Sequence, residues 1–163
     1  MAQERSGANE KADAPSGQAS QGGITIVPMT EWYHLEHSLQ LARQTLDPQT
    51  YTDIQELRAE LCHPDAQYYV ALVHGGVKGF AGWKKSGINR HVFECPWNVV
   101  HPEYRGQGIG RLLIEHRIAD VTRRGGRAII ITTPTPKLYI KFGFRTIEVL
   151  SGLWANHLML LVL

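Results

Sequence analysis

Val99-Val100-His101-Pro102-Glu103-Tyr104-Arg105-Gly106-Gln107-Gly108-Ile109-Gly110 decides the reading of this chain. An extended run ends at the two valines, and a glycine-rich turn then opens a helix predicted over 108–124. Glycine lets the main chain approach a ligand with no Cβ in the way, and the N–H groups at a helix N-terminus carry partial positive charge. Such a turn suits an anion, most often a phosphate. It lacks the Gly-Lys-Ser/Thr ending of a Walker loop and the spacing of the dinucleotide fingerprint. A helix that merely begins with glycines is the plainer alternative. The preceding strand, the charged lead-in and the apolar stripe of Ile109, Leu112, Leu113, Ile114, Ile118 and Val121 weigh against it.

Six arginines at 105, 111, 117, 123, 124 and 127 face only Glu115 and Asp120 in the same stretch, an excess that suits a ligand with several phosphates. Arg105 and Arg111 bracket the loop and are assigned to that ligand. Arg117, Arg123 and Arg124 are assigned to solvated helix surface.

A second punctuated stretch is Thr135-Pro136-Lys137-Leu138-Tyr139-Ile140-Lys141-Phe142-Gly143-Phe144. Thr135 can cap, Pro136 suits the first helical position and Gly143 can take the left-handed conformation that ends a helix, so a helix of about two turns is expected.

Together these stretches resemble the GCN5-related N-acetyltransferase family. Arg105-Gly106-Gln107-Gly108-Ile109-Gly110 is similar to its Arg/Gln-x-x-Gly-x-Gly/Ala signature, and Tyr139 followed by Gly143-Phe144 is similar to its second motif. The resemblance covers roughly residues 23–163 and is sharpest over 92–144. It implies an α/β fold: a mixed, mostly antiparallel sheet with helices on both faces, in which two parallel central strands splay apart. Those strands would be His91–Val100 and Ala128–Thr133.

The resemblance also implies that acetyl-CoA is the co-substrate, with no metal. Its diphosphate would lie on residues 105–111 (Arg105, Gly106, Gln107, Gly108, Ile109, Gly110 and Arg111), and its pantetheine arm would pair with the main chain near Val99 and Val100, like an added strand. Tyr139 would lie beside the sulfur and donate its proton to the departing thiolate; a phenol with a pKa near 10 is protonated at neutral pH. A tyrosine packed in the core is the alternative for that residue.

An amine acceptor resembling lysine is protonated at neutral pH, and presenting it as a nucleophile costs about 4–5 kcal/mol. A general base is therefore useful. Glu94, eleven residues before Arg105, stands where some family members carry a catalytic glutamate. It could instead face solvent or pair with Arg90 or Lys84, and Pro96 removes a ladder donor nearby, so an edge, bulge or bend is expected there. His91, Asn98 and His101 are the reserve bases. Cys95 could carry an acyl group, but strand cysteines are usually buried hydrophobes, and direct transfer in a ternary complex is expected. A non-catalytic acyl-CoA-binding regulatory module is the rival reading.

Elsewhere, periodicity predicts a strand over 24–29, helices over 31–45 and 51–62, strands over 68–74 and 77–83 joined at Gly75-Gly76, a buried strand at 128–131, and closing strands at 144–150 and 157–163. Residues 1–22 lack an apolar period and read as a flexible tail, leaving 23–163 as the domain. Residues 31–65 hold seven acids (Glu31, Glu36, Asp47, Asp53, Glu56, Glu60, Asp65) against Arg43 and Arg58. In this family the first helices border the acceptor, so an amine-bearing small molecule or protein is the expected partner.

Composition is that of a globular chain: 163 residues, 43% hydrophobic, 20% charged, formal net charge +2. With so small a charge excess, no nucleic-acid partner is expected. The two cysteines, Cys62 and Cys95, build neither a disulfide framework nor a metal motif, and a cytoplasmic setting is the simplest. No signal peptide or membrane span is expected, and the Leu-rich terminal strand is compatible with a homodimer.

Overall fold

Antiparallel pairing builds most of a nine-stranded sheet, and the computed structural model describes residues 19–46, 53–150 and 156–163 of it and its helices. Strand β1 (Ala19–Gln21) pairs with β2 (Ile24–Pro28), β2 with β3 (Ala66–Val73), and β3 with β4 (Gly76–Lys85). The expected tail is therefore shorter at its inner end, because residues 19–21 find a partner in β2; residues 1–18 lie outside the described residues. The β3–β4 turn also shifts by one residue from the expected Gly75-Gly76. Val73 pairs with Gly76, leaving His74 (φ 49°) and Gly75 (φ 78°) as a two-residue turn with both centres left-handed, the hand that matches strand twist.

Past β4 come β5 (Val92–Glu94), β6 (Asn98–Val100), β7 (Ala128–Thr133), β8 (Arg145–Leu150) and β9 (Asn156–Val162). The path runs β1-β2-β3-β4-β5-β7-β9-β8, with β6 lying off it against β4. β5 and β7 form the parallel pair. The strand expected as one piece over His91–Val100 is thus two. Lys84 pairs with Glu94 and Ala81 with Asn98, so Cys95, Pro96 and Trp97 oppose only Gly82 and Trp83. Three residues against two is a β-bulge, centred on a proline with no N–H to give the ladder. The Cys95 N–H still reaches Ile130 O at 3.0 Å; beyond it β6 and β7 part.

Side-chain alternation sends alternate residues to two cores. On one face Ile26, Tyr69, Ala81, Phe93, Ile129 and Met159 meet Ile109, Leu113, Ile114 and Val121 of α3 (Ile109–Arg123). On the other, Val70, Phe80 and Val99 meet Leu39 and Ala42 of α1 (Trp32–Thr45) and Leu57 and Leu61 of α2 (Ile54–Leu61). α1 begins after Glu31, whose side chain makes no cap, one residue later than expected. α2 is shorter than expected and is capped by Asp53, which accepts from Gln55 N at 3.0 Å; the expected Asp47-Pro48 stop lies outside the described residues. α4 (Pro136–Ile140) starts at Pro136 as expected, but the Thr135 side chain does not cap it, and Gly143 takes φ 90°. No helix among the described residues is long and apolar enough to cross a membrane.

Asp120, on α3 and 6% exposed, ties α3 to the sheet. It accepts a short hydrogen bond from Tyr69 Oη and one from Trp83 Nε1 at 2.8 Å, and pairs with Arg123 at 2.9 Å and Arg124 at 3.0 Å. Burial opposes its ionisation, yet the hydrogen bonds from Tyr69, Trp83 and Arg124 outweigh that and hold its carboxyl below the usual carboxylate range. Asp120→Ala leaves two buried donors unpaired and is expected to lower stability by about 2–4 kcal/mol in chemical denaturation. Because the native carboxyl is the stronger acid, this advantage is complete above about pH 4 and is lost on further acidification. Unfolding curves for wild type and variant should converge there, and a gap that widened in acid would contradict the assignment.

Candidate active site

Main-chain geometry prepares the turn ahead of α3. A 3₁₀ turn at Pro102–Tyr104 is capped by His101, whose Nδ1 accepts from Glu103 N at 3.3 Å, and the chain then passes through Gly106 (φ 78°) and Gly108 (φ 90°). No atom lies within 4 Å of where a Cβ would sit on either glycine, so conformation rather than space demands glycine here. Leu112 N–H to Gly108 O, 3.0 Å, is the first bond of the helix, and among the described residues the N–H groups of 106–111 have no partner. Six donors at the positive end of a fifteen-residue helix remain for an anion. Ile109 gives only its main chain, since its side chain is 1% exposed in the core. Gln107 Nε2 reaches back to Glu103 O at 3.2 Å, and a Cβ on Gly110 would touch Val100 and Asn98 at 3.6 and 3.8 Å.

The bracketing arginines separate. Arg105 Nε donates to Val100 O at 3.2 Å and keeps its guanidinium at the loop. Arg111 Nε pairs with Glu115 at 2.8 Å along the exposed side of α3, one turn from the loop.

Below the bulge, the gap between β6 and β7 is a cleft of about 800 Å³, lined by Glu94, Trp97, Asn98, Thr133, Leu138 and Tyr139 among others. His101 N–H donates to Lys78 O at 2.8 Å, so the alternation of an antiparallel ladder turns the main-chain groups of Val99 toward Phe80 and those of Asn98 and Val100 toward the gap. Of the two valines expected to pair with a ligand arm, Val100 turns its main-chain groups to the gap, while Val99 bonds β4 through its main chain, places its side chain in the α1–α2 core and also lines the cleft.

Tyr139 meets the cleft from α4. Its ring is 6% exposed and edges Phe144 at 5.5 Å, and its hydroxyl makes no hydrogen bond among the described residues. Glu94 meets the same cleft from β5. Ser86 Oγ donates to its Oε1 at 2.8 Å and Lys84 Nζ lies 3.5 Å from its Oε2. The pairing with Lys84 and the place in the cleft coexist. Glu94 also lines a second cavity of about 520 Å³ with Glu60, His63 and Lys84.

The reserve bases divide likewise. His91 spends one ring nitrogen on Gly125 O and the other on Arg90, and His101 caps its turn. Asn98 faces the cleft, and its buried Oδ1 has no hydrogen-bond partner among the described residues. Cys95 is 5% exposed, and burial pushes its thiol above the ordinary range despite the Arg117 charge nearby. Of the acids over 31–65, Glu36 is spent on Arg58 at 2.6 Å and Asp65 on Lys85 at 3.0 Å, while Glu60 accepts from Trp97 Nε1 at 2.9 Å beside the bulge.

Arg117 corrects the expectation of a solvated surface. It is 2% exposed, and its Nη1 donates to Gly82 O at 3.2 Å and Trp97 O at 2.9 Å. Arg123 and Arg124 do keep half-exposed side chains, both on Asp120. Lys84, named from the sequence as a partner for Glu94, takes that place, whereas Ser86, Trp97 and Arg117 belong to the site's frame without a sequence signal of their own.

Comparison with known proteins follows the same outline. Residues 64–146 match the family model described as an acetyltransferase (GNAT) domain. Among solved structures, a GCN5-related N-acetyltransferase from Kribbella flavida is 23% identical over 86% of this chain and 98% of its own, with a TM-score of 0.72. An aminoglycoside 6'-N-acetyltransferase complexed with coenzyme A is 21% identical over 85% and 96%, TM-score 0.72. The PaiA N-acetyltransferase from Thermoplasma acidophilum, in complex with coenzyme A, is 19% identical over 86% and 99%, TM-score 0.67. Curated protein sequences contain no match. The bulged and splayed sheet, the glycine turn and a family model spanning half the chain agree, and the chain belongs to the GNAT acetyltransferase family.

Proposed function

We propose that this protein is an N-acetyltransferase that moves an acetyl group from acetyl-CoA to a primary amine by direct attack in a ternary complex. The observation that carries the reading is the continuity of main-chain groups turned away from the sheet, with Val100 O held by Arg105 Nε. Free N–H donors over 106–111 lead to the outward groups of Val100 and Asn98, and from there into a cleft that holds a tyrosine hydroxyl and a carboxylate. A diphosphate fits the first, a pantetheine arm with alternating amides the second, and a thioester the third. Acetyl-CoA supplies the activated acetyl group and a good leaving thiolate. An aminoglycoside, the acceptor named for one structural relative, is one example of such an amine.

Each residue's role follows from its anchoring. Glu94, fixed by Ser86 and Lys84, takes a proton from the entering amine as the C–N bond forms. Tyr139, with a buried ring and an uncommitted hydroxyl, gives its proton to sulfur as the C–S bond breaks. Arg105 adds charge at the phosphate loop. Buried Cys95 holds its proton and has no place in the transfer.

Calorimetry with CoA and release of CoA thiol across an amine library test the reading. Uptake and turnover are expected; uptake without turnover by any amine would instead indicate an acyl-CoA-binding module. Tyr139→Phe should lower kcat about 10²-fold with little change in acetyl-CoA KM, the size expected for losing one positioned acid. Glu94→Gln should lower kcat/KM for the amine by a similar factor. A native-state thiol titration should label the exposed Cys62 and spare Cys95. An acyl group trapped on Cys95 during turnover would overturn direct transfer.

A further inference from the structure

We infer that Arg117 is a positioning residue that holds the sheet bulge, and with it the main-chain edge that receives the cofactor arm. This rests on the acyl-CoA reading above. The side chain is 2% exposed on α3, yet among the described residues no acid is a hydrogen-bond or ion-pair partner of it. Asp120, one turn along, is occupied by Tyr69, Trp83, Arg123 and Arg124. A buried guanidinium without a carboxylate is costly, and an apolar side chain of similar length would fill the same volume without that cost.

What an apolar side chain lacks is donors. The two carbonyls that Arg117 Nη1 reaches, Gly82 O at 3.2 Å and Trp97 O at 2.9 Å, lie on opposite strands at the bulge, where three residues face two and the ladder is interrupted. Gly82 cannot be repaired by a larger residue, because a Cβ there would fall 2.2 Å from the Tyr68 ring and 2.6 Å from Gln67 O. The guanidinium therefore closes from below a gap that the strands leave open.

Trp97 is gripped a second time. Its indole N–H donates to Glu60 on α2 at 2.9 Å, and Lys84 Nζ lies 3.5 Å from both Glu60 Oε1 and Glu94 Oε2. Residue 98 follows directly and begins the β6 edge whose outward groups face the cleft. Movement at Trp97 is thus passed to that edge in one peptide unit.

Arg117→Met in the full chain tests this, with CoA binding by calorimetry, acetyl-CoA KM and melting temperature measured on the same preparation. The dissociation constant for CoA and the acetyl-CoA KM should both rise about tenfold, in line with the cost of small misplacements of binding groups, and Arg117→Lys, whose ammonium has donors for both carbonyls, should recover most of the loss. A purely structural role would lower the melting temperature and leave CoA affinity of the folded protein at the wild-type value; that outcome overturns the inference. Should the Met variant not fold, the Lys variant carries the test, with a rise of about threefold expected and an unchanged constant counting against the role. No CoA uptake by the wild-type chain would remove the acyl-CoA reading and this role together, whereas uptake by wild type and variant alike removes this role alone.

Discussion

A main-chain ladder cannot run through a residue without an N–H, and Pro96 stands where β5 would otherwise continue into β6. The chain answers with one extra residue on that side, and the strand keeps its pairing with β4 while leaving β7. Most of what makes this molecule able to act follows from that departure. The cleft is the space β6 vacates, Glu94 is the last residue before the break, and the outward-facing edge exists because β6 has a neighbour on one side only.

The rest of the fold keeps that opening from closing. α3 packs on one face and α1 with α2 on the other, so β4, the strand that both β5 and β6 lean on, is buried from each side over Gly79–Trp83. Asp120 locks α3 to Tyr69 and Trp83, which flank the bulge from β3 and β4. Its neighbour on the helix, Arg124, lies over the Trp83 ring at 4.7 Å, so the same anchor is held by charge and by ring contact. Polar groups that the break leaves without partners are met from outside the sheet, in keeping with the near-universal pairing of buried main-chain groups.

Local features were the legible ones. The glycines at 106 and 108, Pro136 and Gly143 each announce a conformation through their own chemistry, and the structure gives them the positive φ values or the helix start that chemistry calls for. Pro96 likewise announced a bend. What the bend does was not legible, since the number of residues opposite it is set by where β5 and β6 pair with β4, Lys84 with Glu94 and Ala81 with Asn98. Arg117 was misread because a helix carrying arginines at 111, 117 and 123 looks solvated; the bulge lying under it explains its burial. Within the acidic stretch over 31–65, Glu36 and Asp65 find their cations in Arg58 and Lys85, and no local pattern shows those pairings.

Because the cleft is opened by backbone register and not by the size of the side chains around it, its contents and its frame can vary independently. Ile88, Leu138, Thr133 and Asn156 line it from four separate segments without taking part in the bulge. Descendants of this sequence could exchange such residues while the main-chain frame kept its shape, which gives the scaffold room to diversify what the cleft holds without refolding.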